Sequence, residues 1–283
     1  MRVIDLINVA SEHLKNKGFE NPRLEVERML GNVLSLSRIE LYLEFERLLT
    51  TAERNNFRNL YKRRLTHEPL QHIIGNFDFR DIKIKTDRRA LIPRSETEIL
   101  VEIAVDFLKN YNTPYAADIG TGSGVIALII AFEIPESRVI AVDISDEALM
   151  LAEENARIMG LEERVTFISG NMLDSLKGRG SFDTIISNPP YVKSENIKSL
   201  QPEVRDFDPE IALDGGDDGL RFLTAIADGA HQYLKSHGLI LMECGEDQAS
   251  RVKKIIDDTG FYSGVEIISD LAGKNRVIKA KKR

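Results

Sequence analysis

Asp118-Ile119-Gly120-Thr121-Gly122-Ser123-Gly124 closes one apolar run, Ala116 to Ile119, and opens another, Val125 to Phe132. The first run has strand length and the second has helical length, so the glycines fall in a strand-to-helix turn. Glycine there lets the backbone pass close to a ligand, and the helix start offers unpaired N–H groups. Outward from this turn the chain keeps alternating. Further strands are expected at Val139 to Val142, Val165 to Ile168, Thr184 to Ser187 and Leu239 to Glu243, with helices at Asp146 to Met159 and Leu220 to Leu234. This alternation predicts an α/β fold with a doubly wound, mostly parallel sheet. Val265 to Ile268 and Arg276 to Lys279, joined by a turn at Gly273, read as two more strands on an antiparallel edge.

The N-terminal part follows a different period. Val3, Leu6, Ile7, Ala10 and Leu14 recur at helical spacing, and Asn21-Pro22 is a cap followed by a first-turn proline. A second helix runs through Val26, Met29, Leu30, Val33 and Leu34, and Thr50 with Glu53 forms a capping box ahead of Phe57, Leu60, Tyr61 and Leu65. Between Ile73 and Ile84 the apolar residues alternate around Gly75 and Asp81, the pattern of a hairpin. The reading divides the chain into a helical domain at 1–72, a β-hairpin linker at 73–90 and an α/β domain at 91–283.

Composition narrows the function. In a chain of 283 residues, a net charge of −7 and a pI near 5.4 argue against broad, sequence-independent attraction to nucleic acid, and the basic clusters Lys62-Arg63-Arg64 and Lys279 to Arg283 read as a solvated face and tail. No apolar run has membrane-spanning length, the start lacks a signal-peptide pattern, and the single Cys244 suits a reducing cytoplasm. His67, His72, His231 and His237 lack the grouping of metal ligands, so no metal is expected and surface or hinge positions are assigned to them.

The glycine spacing selects the cofactor. A dinucleotide fingerprint needs G-x-G-x-x-G, but Val125 stands where its third glycine would be. G-x-G-x-G with Asp118 two residues ahead is the arrangement used for S-adenosylmethionine, whose ammonium and sulfonium groups suit a carboxylate. Gly120, Thr121, Gly122, Ser123 and Gly124 then hold the donor, and Asp143 at the next strand end accepts the ribose hydroxyls. After the third strand, Asn171 can accept from the adenine amine and Met172 can cover the ring. Each piece has a plainer reading: a glycine turn alone is common, and Asp after a strand is often a helix cap.

Asn188-Pro189-Pro190-Tyr191 follows the strand Phe182 to Ser187. The prolines stiffen the turn and remove its N–H groups, leaving carbonyls free to accept. The Asn188 side-chain oxygen and the Pro189 carbonyl can take the two hydrogens of a planar NH2 group, with Tyr191 on its face. That group is either a side-chain amide or a nucleobase amine. In-line methyl transfer needs no covalent enzyme intermediate and no dedicated base.

These residues resemble the HemK-type peptide chain release factor glutamine methyltransferases along essentially the whole chain. The likeness runs through Asn21 to Glu25, Pro69 to Gly75, Leu91-Ile92-Pro93-Arg94-Ser95-Glu96-Thr97-Glu98 and Asp118 to Gly124. It continues through Asn188 to Tyr191, Asp208-Pro209-Glu210, Ala212 to Gly216, and Glu243-Cys244-Gly245 with Gln248. The family pattern has proline at Ser95 and an acidic or bulky residue near Asn171-Met172. The resemblance implies a Rossmann-like class I methyltransferase fold with a seven-stranded sheet. It also implies a helical N-terminal domain that grips the release factor, and a hairpin linker.

The implied activity is cytoplasmic methylation of the glutamine in the Gly-Gly-Gln motif of peptide chain release factors, with S-adenosylhomocysteine as product. No stable nucleic-acid binding, no membrane association and a monomer are expected. By carry-over, Gly120 to Gly124 and Asp143 bind the donor. Asn188, Pro189, Pro190 and Tyr191 hold the acceptor. Arg94 either lines the substrate mouth or pairs with Glu96 or Glu98. Alternatives at this point are a glutamine methyltransferase for a ribosomal protein, a DNA or RNA adenine amine methyltransferase, and an inactive fold that only binds the translation machinery.

Overall fold

The computed structural model describes residues 1–80 and 82–283, so Asp81, expected in the hairpin turn, lies outside the described residues. By contact density the chain forms two units: Met1–Asn76 with Pro202–Phe207, and Phe77–Gln201 with Asp208–Arg283.

The smaller unit holds α1 (Val3–Asn16), α2 (Pro22–Leu34), α3 (Arg38–Leu43), α4 (Thr51–Arg64) and α5 (Leu70–Ile74). The five residues expected to face inward from α1 are all buried, and they pack with Val26, Met29, Leu30 and Phe57. Thr50 and Glu53 form the expected capping box, the Glu53 N–H donating to Thr50 Oγ1 at 3.2 Å and the Thr50 N–H to Glu53 Oε2 at 2.8 Å. Pro22 opens α2 as its fixed φ allows, although the Asn21 side chain makes no capping bond. Ile73 differs from the hairpin reading: with His72 it is buried in α5, which Gly75 ends in a left-handed C-cap at φ 85°. His72 is therefore no surface residue.

The larger unit begins with the hairpin β1 (Asn76–Phe79) and β2 (Ile82–Lys85), whose second through last residues lie in this unit. There follow α6 (Thr97–Leu108), β3 (Tyr115–Ile119), α7 (Val125–Glu133), β4 (Arg138–Asp143), α8 (Asp146–Met159), β5 (Val165–Ser169) and β6 (Phe182–Ser187). After the short α9 (Pro202–Arg205), which belongs to the smaller unit, come α10 (Arg221–Gly229), β7 (Leu234–Glu243), α11 (Ala249–Thr259), β8 (Tyr262–Ser269) and β9 (Asn275–Lys282). The expected helix to Leu234 is shorter than read, because the chain tightens into a 3₁₀ turn at Ala230–Gln232 and Leu234 starts a strand.

Seven strands form one sheet in the order β5-β4-β3-β6-β7-β9-β8, parallel except for β9, which runs antiparallel to both its neighbours. Residues alternate between its two faces. Ala116, Ile186 and Leu239 pack under α6 and α7, whereas Ala117, Ile185 and Ile240 pack under α10 and α11. Burial on both faces explains why β6 reads as an unbroken buried run. The chain moves outward from β3 to β4 and β5, then returns to place β6 on the other side of β3. That reversal opens a crevice at the carboxyl ends of β3 and β6, where the Ser187 hydroxyl donates to the Ile119 carbonyl at 2.6 Å. Among the described residues no helix is long and apolar enough to cross a membrane.

Candidate active site

The crevice holds a cavity of ≈ 170 Å³, with the glycine turn, Asp143, Asn171, Met172, Asn188 and Pro190 on its wall. Gly120, Gly122 and Gly124 all have positive φ, a conformation that strains any other residue. A Cβ at Gly124 would meet Ala152 Cβ at 3.0 Å, while one built at Gly120 would meet nothing within 4 Å and would project into open space beside the wall. The glycines thus serve two ends: close packing of α7 on α8, and an unobstructed backbone facing the cavity. Ser123 Oγ is buried on this wall with no partner among the described residues. Met172 holds a left-handed φ of 51°, which costs about 1 kcal/mol for an L residue and so marks a position fixed by its surroundings.

The two aspartates of the donor reading occupy different places. Asp143 lines the cavity, and its carboxylate accepts from the Gly122 N–H at 2.8 Å and the Ser145 N–H at 2.9 Å. Burial raises its pKa, opposed by those backbone bonds. Asp118 is fully buried beneath the turn, off the wall, and accepts from Thr121 Oγ1 at 2.6 Å and the Ala127 N–H at 3.3 Å. It braces the loop and the start of α7. Burial, with Asp143 nearby, pushes its pKa up to about 7. The chemical reason for an acid at this position is therefore the loop's own donors, which a strand-end carboxylate can reach.

The proline turn is held from several directions. Val192 exchanges backbone bonds with the 213–215 segment, its N–H donating to the Leu213 carbonyl and its carbonyl accepting from the Gly215 N–H. Gln248 Nε2 donates to the Tyr191 carbonyl at 2.9 Å and to that of Gly219 at 3.2 Å. Asp214 accepts from Ser194 Oγ at 2.6 Å and the Gly216 N–H at 2.9 Å, tightening the same bend.

Asn188 Nδ2 donates to Thr97 Oγ1 at 3.1 Å, which leaves its carbonyl oxygen as the acceptor toward the cavity. Pro189 is buried, and Pro190 is the proline on the wall. Tyr191 is placed otherwise than the expected stacking on a bound amide: its ring packs with the α10 and α11 side of the core, and its hydroxyl donates to Glu243 Oε1 at 3.3 Å. Burial and the Glu243 charge keep that hydroxyl protonated.

Arg94 pairs with neither Glu96 nor Glu98. Its Nη2 donates to Asp208 Oδ2 at 2.8 Å, a correction that nearest-neighbour reasoning could not supply because the partner is 114 residues away in sequence. Sequence reasoning also passed over wall residues such as Ala90, Ile144 and Phe222, which supply apolar surface without any motif. Asn155 was missed as well. Buried on α8, it accepts from the Lys85 N–H at 2.8 Å and donates to the carbonyls of Lys85 at 3.1 Å and Ser123 at 3.0 Å, tying hairpin to glycine turn. Its only local signal was a polar residue on the apolar face of α8. Cys244 is buried, which pushes its thiol up to about 12 and leaves it unreactive.

A turn built for close backbone approach, a carboxylate at the next strand end and an amide acceptor across the crevice make a group-transfer site. The PrmC N-terminal domain model matches residues 5–75, and the methyltransferase small domain model matches residues 96–202. Release factor glutamine methyltransferases of Moorella thermoacetica and Thermodesulfovibrio yellowstonii are 38% and 39% identical to this chain, each match covering 100% of it and 99% of the relative. That of Geobacter sulfurreducens is 41% identical over 88% of this chain and 86% of its own length. Among solved structures, the hMettl16 catalytic domain in complex with a 3′UTR hairpin superposes with a TM-score of 0.59 at 15% identity, covering 78% of this chain and 81% of that one. At that identity the structural likeness speaks to the fold, a methyltransferase sheet with its crevice at the switch between β3 and β6. Near full-length identity to three relatives, together with both domain matches, carries the assignment: the chain belongs to the release factor glutamine methyltransferase family.

Proposed function

We propose that this enzyme transfers a methyl group from S-adenosyl-L-methionine to the side-chain amide nitrogen of the glutamine in the Gly-Gly-Gln motif of peptide chain release factors. The observation that carries the reading is Asn188. Its NH2 end is engaged by Thr97, so its carbonyl end remains to accept from an NH2 group brought to the cavity.

The wall residues fit the donor. The open space at Gly120, the unpartnered Ser123 hydroxyl and the apolar surfaces of Ile144 and Met172 suit a ligand with polar and flat apolar parts. Asp143 would hold the ribose hydroxyls through the lone pairs its backbone donors leave free. When bound, S-adenosylmethionine supplies a methyl group on a sulfonium, open to in-line displacement by the acceptor nitrogen. Asn188 Oδ1 accepts one amide hydrogen and the Pro189 carbonyl the other, drawing the nitrogen away from planarity and its lone pair out of conjugation. The rigid turn pre-pays the orientation, which is where most of the rate gain of such a displacement lies. The extra proton of the methylated nitrogen is acidic enough to pass to water, so no side chain is assigned as base. The reading places the chain in the cytoplasm with the release factors.

Purified protein, radiolabelled donor and unmodified release factor test this directly. Label confined to the Gly-Gly-Gln glutamine is expected, with none on a ribosomal protein or on DNA or RNA offered in parallel. Donor binding by calorimetry without label on the release factor removes the reading.

A further inference from the structure

Two motif residues, Thr97 and Glu243, meet beneath Asn188; the mechanism above uses Thr97 only as a contact of the Asn188 amide and does not use Glu243. Thr97 opens α6, Asn188 follows β6 and Glu243 ends β7, so three separate elements bring them together. Thr97 is 2% exposed and Glu243 is 1% exposed. The hydroxyl of Thr97 donates to Glu243 Oε2 at 2.7 Å and accepts from Asn188 Nδ2 at 3.1 Å. Tyr191 donates to the other carboxylate oxygen at 3.3 Å.

An asparagine amide is nearly symmetric in shape, and turning it over exchanges oxygen for NH2 at little steric cost. For the proposed reaction only one orientation works, because the substrate NH2 needs an acceptor. A threonine hydroxyl alone does not choose, since it can donate to the amide oxygen or accept from the amide nitrogen. A carboxylate beside it does choose. Ionised Glu243 can only accept, so it takes the single Thr97 proton and leaves only lone pairs facing Asn188. Those lone pairs accept from Nδ2 and turn Oδ1 outward. Burial raises the Glu243 pKa on balance, while the bonds donated by Thr97 and Tyr191 lower it and favour the acceptor-only carboxylate that both hydroxyls face.

We infer that Glu243 and Thr97 are positioning residues that set which end of the Asn188 amide faces the acceptor, through the ordered chain of donors Tyr191 and Thr97 onto Glu243 and Asn188 onto Thr97. The inference rests on the proposed amide-methylation reading. It assigns Thr97 to the reaction by its one proton, and Glu243 by its inability to donate.

The test compares Thr97→Val, Thr97→Ser, Glu243→Gln and the Thr97→Val/Glu243→Gln double variant, with kcat measured on release factor and donor Kd by calorimetry. Valine keeps the shape of threonine and removes the hydroxyl. About a tenfold fall in kcat is expected for it, the size of one misdirected buried hydrogen bond, with donor Kd within about twofold of the parent. Serine, which keeps the hydroxyl, returns kcat to within about threefold of the parent. Glu243→Gln lowers kcat because its NH2 can donate to Thr97. In the double variant it adds no further loss, since its effect runs through the missing hydroxyl. Parent-like kcat in Thr97→Val, failure of serine to rescue, or multiplying losses in the double variant would overturn the inference while leaving the methylation reading intact. A parent protein that binds donor and labels no release factor overturns both.

Discussion

Arg94 Nη2 sits 2.8 Å from Asp208 Oδ2, a carboxylate side chain with 0% exposure, so the Ile92-Pro93-Arg94 loop is pinned to the segment that carries Pro209 and Ile211 on the cavity wall. Arg94→Ala removes a charge-assisted hydrogen bond to this carboxylate and is expected to lower stability by about 1.5–3 kcal/mol in urea unfolding and to weaken donor binding by loosening this wall. Asp208→Asn, which removes the buried charge and keeps the shape, should cost clearly less.

Asn188→Ala removes the acceptor for the substrate amide and is expected to abolish detectable transfer while donor Kd changes little. Asp143→Ala should do the reverse at its first step, raising donor Kd by about tenfold as charge-assisted bonds are lost and the turn at Gly122 is released. Calorimetry and single-turnover labelling separate the two. Parent-like turnover for the first or an unaltered Kd for the second would contradict the assigned roles.

Gly215 has no room for a side chain. A Cβ there would lie 2.8 Å from Tyr191 Cα and 2.9 Å from the carbonyl oxygens of Pro190 and Gly219, all backbone atoms. Gly215→Ala must therefore shift the proline turn. Overpacking of this kind costs about 1–3 kcal/mol, and a displaced turn misaligns the acceptor. The expected result is a fall in kcat on the order of tenfold or more with a modest loss of melting temperature.

Asp118 gives a pH signature. With its pKa pushed up to about 7 from 3.8, the folded chain binds its proton more tightly than the unfolded chain does. Stability from this group is present below pH 4, is lost as pH rises toward 7, and stays lost above. The loss amounts to about 4 kcal/mol by linkage. Asp118→Asn cannot ionise, so the difference in unfolding free energy between variant and parent should move in the variant's favour between pH 4 and pH 8. A difference that is flat across that range would show the carboxyl to titrate normally.

In the smaller unit Arg64 is 2% exposed, over the Phe19 ring, and reaches Glu25 at 2.6 Å and Glu203 at 2.5 Å. Arg64→Met should destabilise this unit by about 3–5 kcal/mol, since it strands the Glu25 carboxylate. Glu203→Ala should cost about 1 kcal/mol, because Glu203 is 35% exposed and Arg64 keeps its bidentate partner. Chemical denaturation followed by a probe in the helical unit distinguishes them.

Some of this was readable locally. The inward face of α1, the Thr50–Glu53 box and the five parallel strands all follow from periods and caps that act over a few residues. Helices α6 and α11 were not read. The start of α6 is masked by the Pro93-to-Glu96 loop, and α11 carries only Ala249, Val252 and Ile256 as buried residues among charges. Nor did any local pattern place Pro202–Phe207 with the helical unit, since that depends on one arginine finding a distant carboxylate.

By itself the sequence determined that a glycine turn lies between a buried strand and a helix, and that a proline-stiffened turn rich in acceptors follows another strand. Both are consequences of backbone chemistry within a few consecutive residues: φ freedom in one, missing N–H groups in the other. The tertiary structure decided which way the Asn188 amide points, what Arg94 holds, and that Asp118 braces the loop from beneath it. The first two of those outcomes rest on single hydrogen bonds between residues 91, 146 and 114 positions apart for Asn188–Thr97, Thr97–Glu243 and Arg94–Asp208. A proton's direction in such a bond is set by the partner's own partner, and only the folded sheet brings all three together.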